Sequence, residues 1–124
     1  CKSLLKKLDK AKKILIIVSN KPEYFVKKIS KHFEIYNFFS VVSGGDTFKF
    51  KKPDPRHLIS TLEKIDLSLK DSIMIGDSIT DFNCAKNAGI PIMLASYGYS
   101  NFNIRKLEAD YIFDSLTELV AISK

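Results

Sequence analysis

Ser72-Ile73-Met74-Ile75-Gly76-Asp77-Ser78-Ile79-Thr80-Asp81 sets an apolar run of strand length against a turn that carries two carboxylates. In open parallel α/β sheets, ligands bind outside the carboxyl ends of the strands. Asp77 and Asp81 stand four residues apart where the strand gives way to a helix, so both can face one pocket. Two hard oxygen donors there suit Mg²⁺. The same residues also read as helix chemistry, with Ser78 as cap and Asp81 in the first turn, where orphan N–H groups and the helix dipole favour an acid. The decapeptide alone leaves both readings open.

Two further segments add to it. Upstream, Ile14-Leu15-Ile16-Ile17-Val18 is a β-rich apolar run that ends in Ser19-Asn20-Lys21-Pro22, with a helical pattern behind it. A hydroxyl, an amide, exposed N–H groups and an ammonium at one strand end are what phosphate binding requires. Between the two runs, Lys52-Pro53-Asp54-Pro55 holds a lysine before a proline, which biases its backbone toward an extended form. Asp54 can cap the next helix and Pro55 fits its first position.

The rest of the chain alternates helix and strand with short connections and no repeats, the pattern of an α/β fold. The sequence predicts strands near 14–18, 40–43, 72–75, 91–95 and 111–113, and helices near 22–32, 55–65, 79–88 and 115–123. Gly89 ends the third of these helices. Leu4, Leu5, Leu8 and Ala11 form a stripe opposite Lys2, Lys6, Lys7, Lys10 and Lys13, so an amphipathic helix over 1–12 opens the chain and docks on the sheet or a cap.

With 124 residues and 45% hydrophobic content, one core and one domain are expected. The net charge of +6 is compatible with anionic partners, but the lysines are scattered and no nucleic-acid motif accompanies them. No nucleic-acid partner is expected. No apolar run is long enough to span a bilayer, and two cysteines give no disulfide framework, so the expectation is a cytoplasmic protein without a membrane partner. Cys84, beside Ala85 and Ala88, reads as a buried thiol.

The three ordered motifs resemble the haloacid dehalogenase superfamily of phosphohydrolases, whose later motifs are a strand-end Ser or Thr, a Lys before Pro, and Gly-Asp-x-x-x-Asp. Within it the chain is most similar to the phosphoglycolate phosphatase branch, through Ser19-Asn20-Lys21-Pro22, Ser43-Gly44-Gly45-Asp46, Lys52-Pro53-Asp54-Pro55, Ala85-Lys86-Asn87-Ala88-Gly89 and Ser96-Tyr97-Gly98-Tyr99-Ser100. The resemblance implies a three-layer, Rossmann-like parallel sheet in which 13–124 form the C-terminal part of a phosphatase core. The helix at 1–12 is read as the possible end of a cap. It also implies Mg²⁺-dependent hydrolysis of a small phosphorylated metabolite, 2-phosphoglycolate at branch level, through an aspartyl-phosphate. Asp77 would hold Mg²⁺. Asp81 would complete the metal shell or orient Lys52. Lys52 would neutralise the phosphoryl oxygens, and Ser19 with Asn20 would hydrogen-bond them. Lys21, Tyr97 and Tyr99 are candidates for the substrate mouth.

The chain departs from the family in two respects: no Asp-x-Asp occurs in it, with Asp9 lying in a Lys-rich helical pattern that has no strand before it, and the helical cap that usually follows that motif is absent apart from its possible end at 1–12. The nucleophile and the usual first strand are therefore missing, and these residues alone are expected to be inactive. Another phosphatase or a phosphomutase of the superfamily, or a non-catalytic phosphate-, metal- or partner-binding chain, are the alternatives. In the family the first strand lies between the strand ending at Ser19 and the strand ending at Gly76. Those two strands should then pair with another chain or a further N-terminal segment, or pair with each other.

Several candidates also have plainer readings. Ser19 can be turn chemistry, as can Asp46 after its two glycines. Lys21 and Lys51 read as solvated charges, and Tyr97 and Tyr99 as loop packing. His32 and His57 lie on helical stretches without a Cys or His companion, which argues against a metal role.

Overall fold

Each apolar run marked as a strand becomes one: those at 14–18, 40–43 and 91–95 lose one or two leading residues, that at 72–75 shifts to end on Gly76, and that at 111–113 is unchanged. The computed structural model describes residues 2–96 and 109–113. In order these form α1 (Lys2–Lys10), β1 (Ile16–Val18), α2 (Glu23–His32), a 3-10 turn (Tyr36–Phe38), β2 (Val41–Ser43), α3 (Arg56–Glu63), β3 (Met74–Gly76), α4 (Ile79–Ala88), β4 (Ile92–Ala95) and β5 (Tyr111–Phe113). The helix expected at 115–123 lies outside the described residues.

All pairings among these strands are parallel. β1 pairs with β2, bringing Val18 opposite Ser43. β3, β4 and β5 form a second ladder in that order, with Gly76 opposite Leu94 and Leu94 opposite Ile112. β4 is buried along its whole length, as a parallel strand covered on both faces must be. Its alternation divides the core in two. Ile92 and Leu94 pack with Leu58 of α3, Met74, and Cys84 and Ala85 of α4. Met93 and Ala95 face the other way, against Leu4 and Leu8 of α1 and against Phe113. Helices therefore cover both faces of the sheet, and the amphipathic opening helix docks on the sheet through its leucine stripe.

Two local features fix α4. Ser78 stands in extended conformation, and its hydroxyl accepts the Asp81 N–H. At the other end Gly89 takes a left-handed φ of 75°, and the Ile90 N–H returns to the Ala85 carbonyl at 3.0 Å. A side chain at that φ would be strained, so glycine stops the helix there. β5 is keyed to β4 by Asp110, whose Oδ2 accepts the Ile92 N–H at 2.8 Å.

The sheet is split. Among the described residues β1 and β3 each have a partner on one edge only, and they do not pair with each other. Direct closure of the gap, one of the two outcomes expected above, is thus corrected. The physical reason lies beneath and beside the strands: Val18 and Met74 share the core that Leu58 fills, while a chain of polar contacts through Lys52 ties their C-terminal ends together. Along the gap Ile14, Ile73 and Ile75 are 54%, 53% and 50% exposed. Met74, between the latter two, is buried on the opposite face, as the strand period of two requires.

Candidate active site

The carboxyl ends of β1, β2 and β3 carry the residues that the motifs singled out, and one lysine joins them. Lys52 arrives on the loop between β2 and α3, and its Nζ lies 2.6 Å from Asp81 Oδ1, with the two side chains 12% and 9% exposed. The other Asp81 oxygen accepts the Asp77 N–H at 3.0 Å. Asp81 can occupy this position only because residue 76 is glycine: a Cβ there would fall inside the Asp81 side chain. Asp81 therefore does two things at once: its N–H is capped by Ser78 at the helix start, and its carboxylate holds the Lys52 ammonium.

The backbone of Lys52 is held as firmly as its ammonium. Its carbonyl accepts from Asn20 Nδ2 at 2.9 Å, and its N–H donates to His57 Nδ1 at 3.1 Å. The peptide bond to Pro53 is cis. Asn87 Nδ2 donates to the Pro53 carbonyl, and Asp54 accepts the Arg56 N–H at 2.9 Å just ahead of α3. Pro55 occupies the cap position itself, one residue later than the sequence predicted for Asp54. The Arg56 guanidinium and N–H on Asp54 draw its carboxyl below the ordinary range.

At the end of β1, Ser19 continues the ladder by donating its N–H to the Ser43 carbonyl, and its Oγ accepts the Lys21 N–H at 3.1 Å. The turn reading of Ser19 is thus realised, and its hydroxyl proton remains available to a ligand. Gly44 and Gly45 lie so close to the Asn20 and Lys21 backbone that a Cβ on either would overlap it. Asp46 is helix chemistry: its Oδ1 accepts the Glu23 N–H at 2.8 Å at the start of α2. Lys21 and Lys51 are exposed, and Tyr97 and Tyr99 lie outside the described residues. A surface hollow lined by Lys31, Glu34, Tyr36 and Asn37 sits toward the opposite end of α2, away from these groups.

Sequence reasoning gave no site role to three residues, although Ser43 opens the Ser43-Gly44-Gly45-Asp46 motif. His57, Ser43 and Thr61 are fully buried beneath Lys52 and hydrogen-bonded to one another. A signal for two of them existed, because His57 and Thr61 are four apart and alternate with Leu58 and Leu62 on the buried side of α3. Burial and the Lys52 ammonium push the His57 pKa below its ordinary 6.5. Cys84, as expected, is a buried thiol, pushed up to about 11 chiefly by desolvation.

The donor set fits a magnesium ion in a limited way. Asp77 is half-buried at the strand end, and no hydrogen bond or ion pair holds its carboxylate among the described residues. Among the described residues no group of three or more His, Cys, Asp or Glu side chains gathers to cage an ion. Mg²⁺ needs no cage, because it keeps several waters and uses one or two carboxylates. Asp77 meets that requirement; Asp81 already accepts one hydrogen bond on each oxygen, from Lys52 Nζ and the Asp77 N–H, with a further lone pair on each.

A family model described as haloacid dehalogenase-like hydrolase matches residues 1–95. The chain belongs to this family. Among curated haloacid dehalogenase relatives, a protein of Vibrio cholerae named phosphoglycolate phosphatase is 42% identical over 122 residues, 98% of this chain and 54% of that protein. One from Agrobacterium fabrum with the same name is 35% identical over 90% of this chain and 48% of its own length. The crystal structure of a predicted phosphoglycolate phosphatase from Haemophilus somnus superimposes with a TM-score of 0.93 at 32% identity, covering 99% of this chain and 55% of that one. A Thermotoga maritima structure named "putative beta-phosphoglucomutase", at 20% identity and a TM-score of 0.84, shares the fold. This haloacid dehalogenase chain thus spans about half the length of the relatives it matches. Among its described residues no helix is long and apolar enough to cross a membrane.

Proposed function

We propose that residues 1–124 supply the phosphate-gripping and metal-holding part of a Mg²⁺-dependent phosphomonoester hydrolase. Its nucleophile comes from an Asp-x-Asp strand outside these residues, which enters between β1 and β3. The observation that carries the reading is the Lys52 ammonium, pinned by Asp81 at 2.6 Å at the carboxyl edge of the strands and tied through its carbonyl to Asn20. A fixed ammonium there can neutralise phosphoryl oxygens without reorganising. Ser19 Oγ donates a hydrogen bond to the same anion, and Asp77 holds the metal. Bound Mg²⁺ would draw charge from the phosphoryl oxygens. The names borne by the relatives support 2-phosphoglycolate as the substrate, and a reducing cytoplasm is the compartment consistent with the unpaired, buried Cys84.

The test uses the gene product read from its own start codon. A fusion of residues 1–124 behind the leading half of the Vibrio cholerae relative serves as a second format. Either should release phosphate from 2-phosphoglycolate in the presence of Mg²⁺, whereas residues 1–124 alone should not. Asp77→Asn should raise the Mg²⁺ concentration needed. Lys52→Ala should lower kcat by about 100-fold or more, in line with removal of a preorganised charge, and Lys51→Ala should leave it near wild type. Turnover by residues 1–124 alone, or equal losses from the two lysine changes, would overturn the proposal.

A further inference from the structure

Beneath Lys52 lies a ring of hydrogen bonds that the motifs do not account for. The Lys52 N–H meets His57 Nδ1 at 3.1 Å, His57 Nε2 meets Ser43 Oγ at 3.0 Å, Ser43 Oγ meets Thr61 Oγ1 at 2.8 Å, and Thr61 Oγ1 donates to the His57 carbonyl at 2.6 Å. All three side chains are inaccessible to solvent. Their protons can be assigned by elimination. A backbone N–H only donates, so Nδ1 must present its lone pair to Lys52. A neutral imidazole then carries its hydrogen on Nε2, which donates to Ser43 Oγ. A carbonyl only accepts, so the Thr61 proton goes to the His57 carbonyl. The remaining contact requires the Ser43 hydroxyl to donate to Thr61. Every proton is used, and no buried side-chain polar atom among the described residues is left without a partner.

We infer that His57, neutral and protonated on Nε2, is a positioning residue that fixes the backbone of Lys52. This deepens the proposed function and rests on it for the role of Lys52. The ring gathers three elements: Ser43 from the end of β2, His57 and Thr61 from α3, and the loop that carries Lys52. With His57 on the N–H, Asn20 on the carbonyl and Asp81 on the ammonium, Lys52 is held at three points. An ammonium stabilises a phosphoryl group to the extent that it is already in place when charge develops. An imidazolium cannot do this work, since a second N–H would confront the Lys52 N–H. The groups facing the ring are arranged accordingly: desolvation and the Lys52 ammonium disfavour its charge, against weaker opposing effects of the Gly44 carbonyl and Asp54. The edge-on ring of Phe48 adds no acid.

Two variants in the complete protein separate positioning from packing. His57→Asn keeps an acceptor oxygen where Nδ1 stands; His57→Leu fills the site without one. His57→Leu should lower kcat on 2-phosphoglycolate about 10- to 100-fold with a small change in KM, the usual cost of losing a residue that orients a functional group. His57→Asn should recover most of that loss. Imidazole ¹⁵N shifts give a readout independent of turnover: in the wild type Nδ1 should be bare and Nε2 protonated at neutral pH, and the Lys52 amide resonance should move in His57→Leu and return in His57→Asn. Equal kcat in the two variants, a proton on Nδ1, or an unmoved Lys52 amide would each overturn the inference. A wild type that hydrolyses no phosphomonoester would defeat the proposed function instead, and the nitrogen and amide shifts would still decide whether His57 positions Lys52.

Discussion

Asp81→Asn asks how strongly the fold relies on the charge beside Lys52. The amide keeps the shape of the carboxylate and can still accept the Asp77 N–H, but the ammonium 2.6 Å away loses its counter-charge in a place where its side chain is only 12% exposed. At an effective dielectric near 20, two unit charges at that separation attract by about 6 kcal/mol before desolvation is subtracted. Removing one partner of a buried pair costs roughly 3 to 5 kcal/mol, because the other is stranded. The residual water contact of Lys52 puts Asp81→Asn at the low end, about 3 kcal/mol. Lys52→Met should cost a similar amount by stranding Asp81. The double variant strands neither, so its cost should be no more than about 3 kcal/mol rather than the sum of about 6, a coupling of at least about 3 kcal/mol. Urea unfolding of the four proteins, with unchanged m-values as the check on two-state behaviour, measures it. Additive costs, with coupling under about 0.5 kcal/mol, would mean that the pair is solvated and that Asp81 does not hold Lys52.

Two other substitutions probe the same architecture. Gly76→Ala drives a methyl into the Asp81 side chain, which Lys52 and the Asp77 N–H prevent from turning away; it should cost about 1 to 3 kcal/mol, the range for overpacking, and a thermal melt matching wild type would refute the close approach. Cys84, with its pKa near 11, should resist iodoacetamide at pH 8 in the native protein and label on unfolding. Rapid native labelling of the Cys84 peptide, read by mass spectrometry, would contradict its burial.

What the sequence made legible were features written in local order. β4 is a four-residue apolar run with nothing polar in it, and such a run has one place to go in a parallel sheet. Gly89 and Ser78 announce the ends of α4 because a left-handed turn and a hydroxyl cap are single-residue devices. Lys52 and Asp81 were legible only as members of motifs; that one grips the other across 29 positions depends on how β3 and the loop before α3 come together. Both roles of Asp81 were legible, the first-turn one from local order and the orienting of Lys52 only through the resemblance, since a carboxylate in a first turn serves a helix end or a distant ammonium equally well. His57, Ser43 and Thr61 were hardest to see. Hydroxyls and imidazoles are ordinary on a surface, and their meaning here comes from α3 lying against the end of β2, a tertiary arrangement that leaves only a faint four-residue spacing in the sequence.

Lys52 also works as a gauge between two bodies. Its carbonyl is fastened to the side of the molecule that ends in Asn20, and its ammonium to the side that ends in Asp81. The distance from carbonyl to ammonium cannot exceed the reach of four methylenes, so one side chain limits how far the two half-sheets can part at this edge while the shared core holds them beneath. A strand seated in the gap has to match that span. One too bulky would pull the ammonium from its carboxylate before it disturbed either ladder, because a single ion pair yields sooner than rows of hydrogen bonds joined to a packed core. The fit of any strand seated in that gap and the aim of the ammonium are, in this fold, one and the same adjustment.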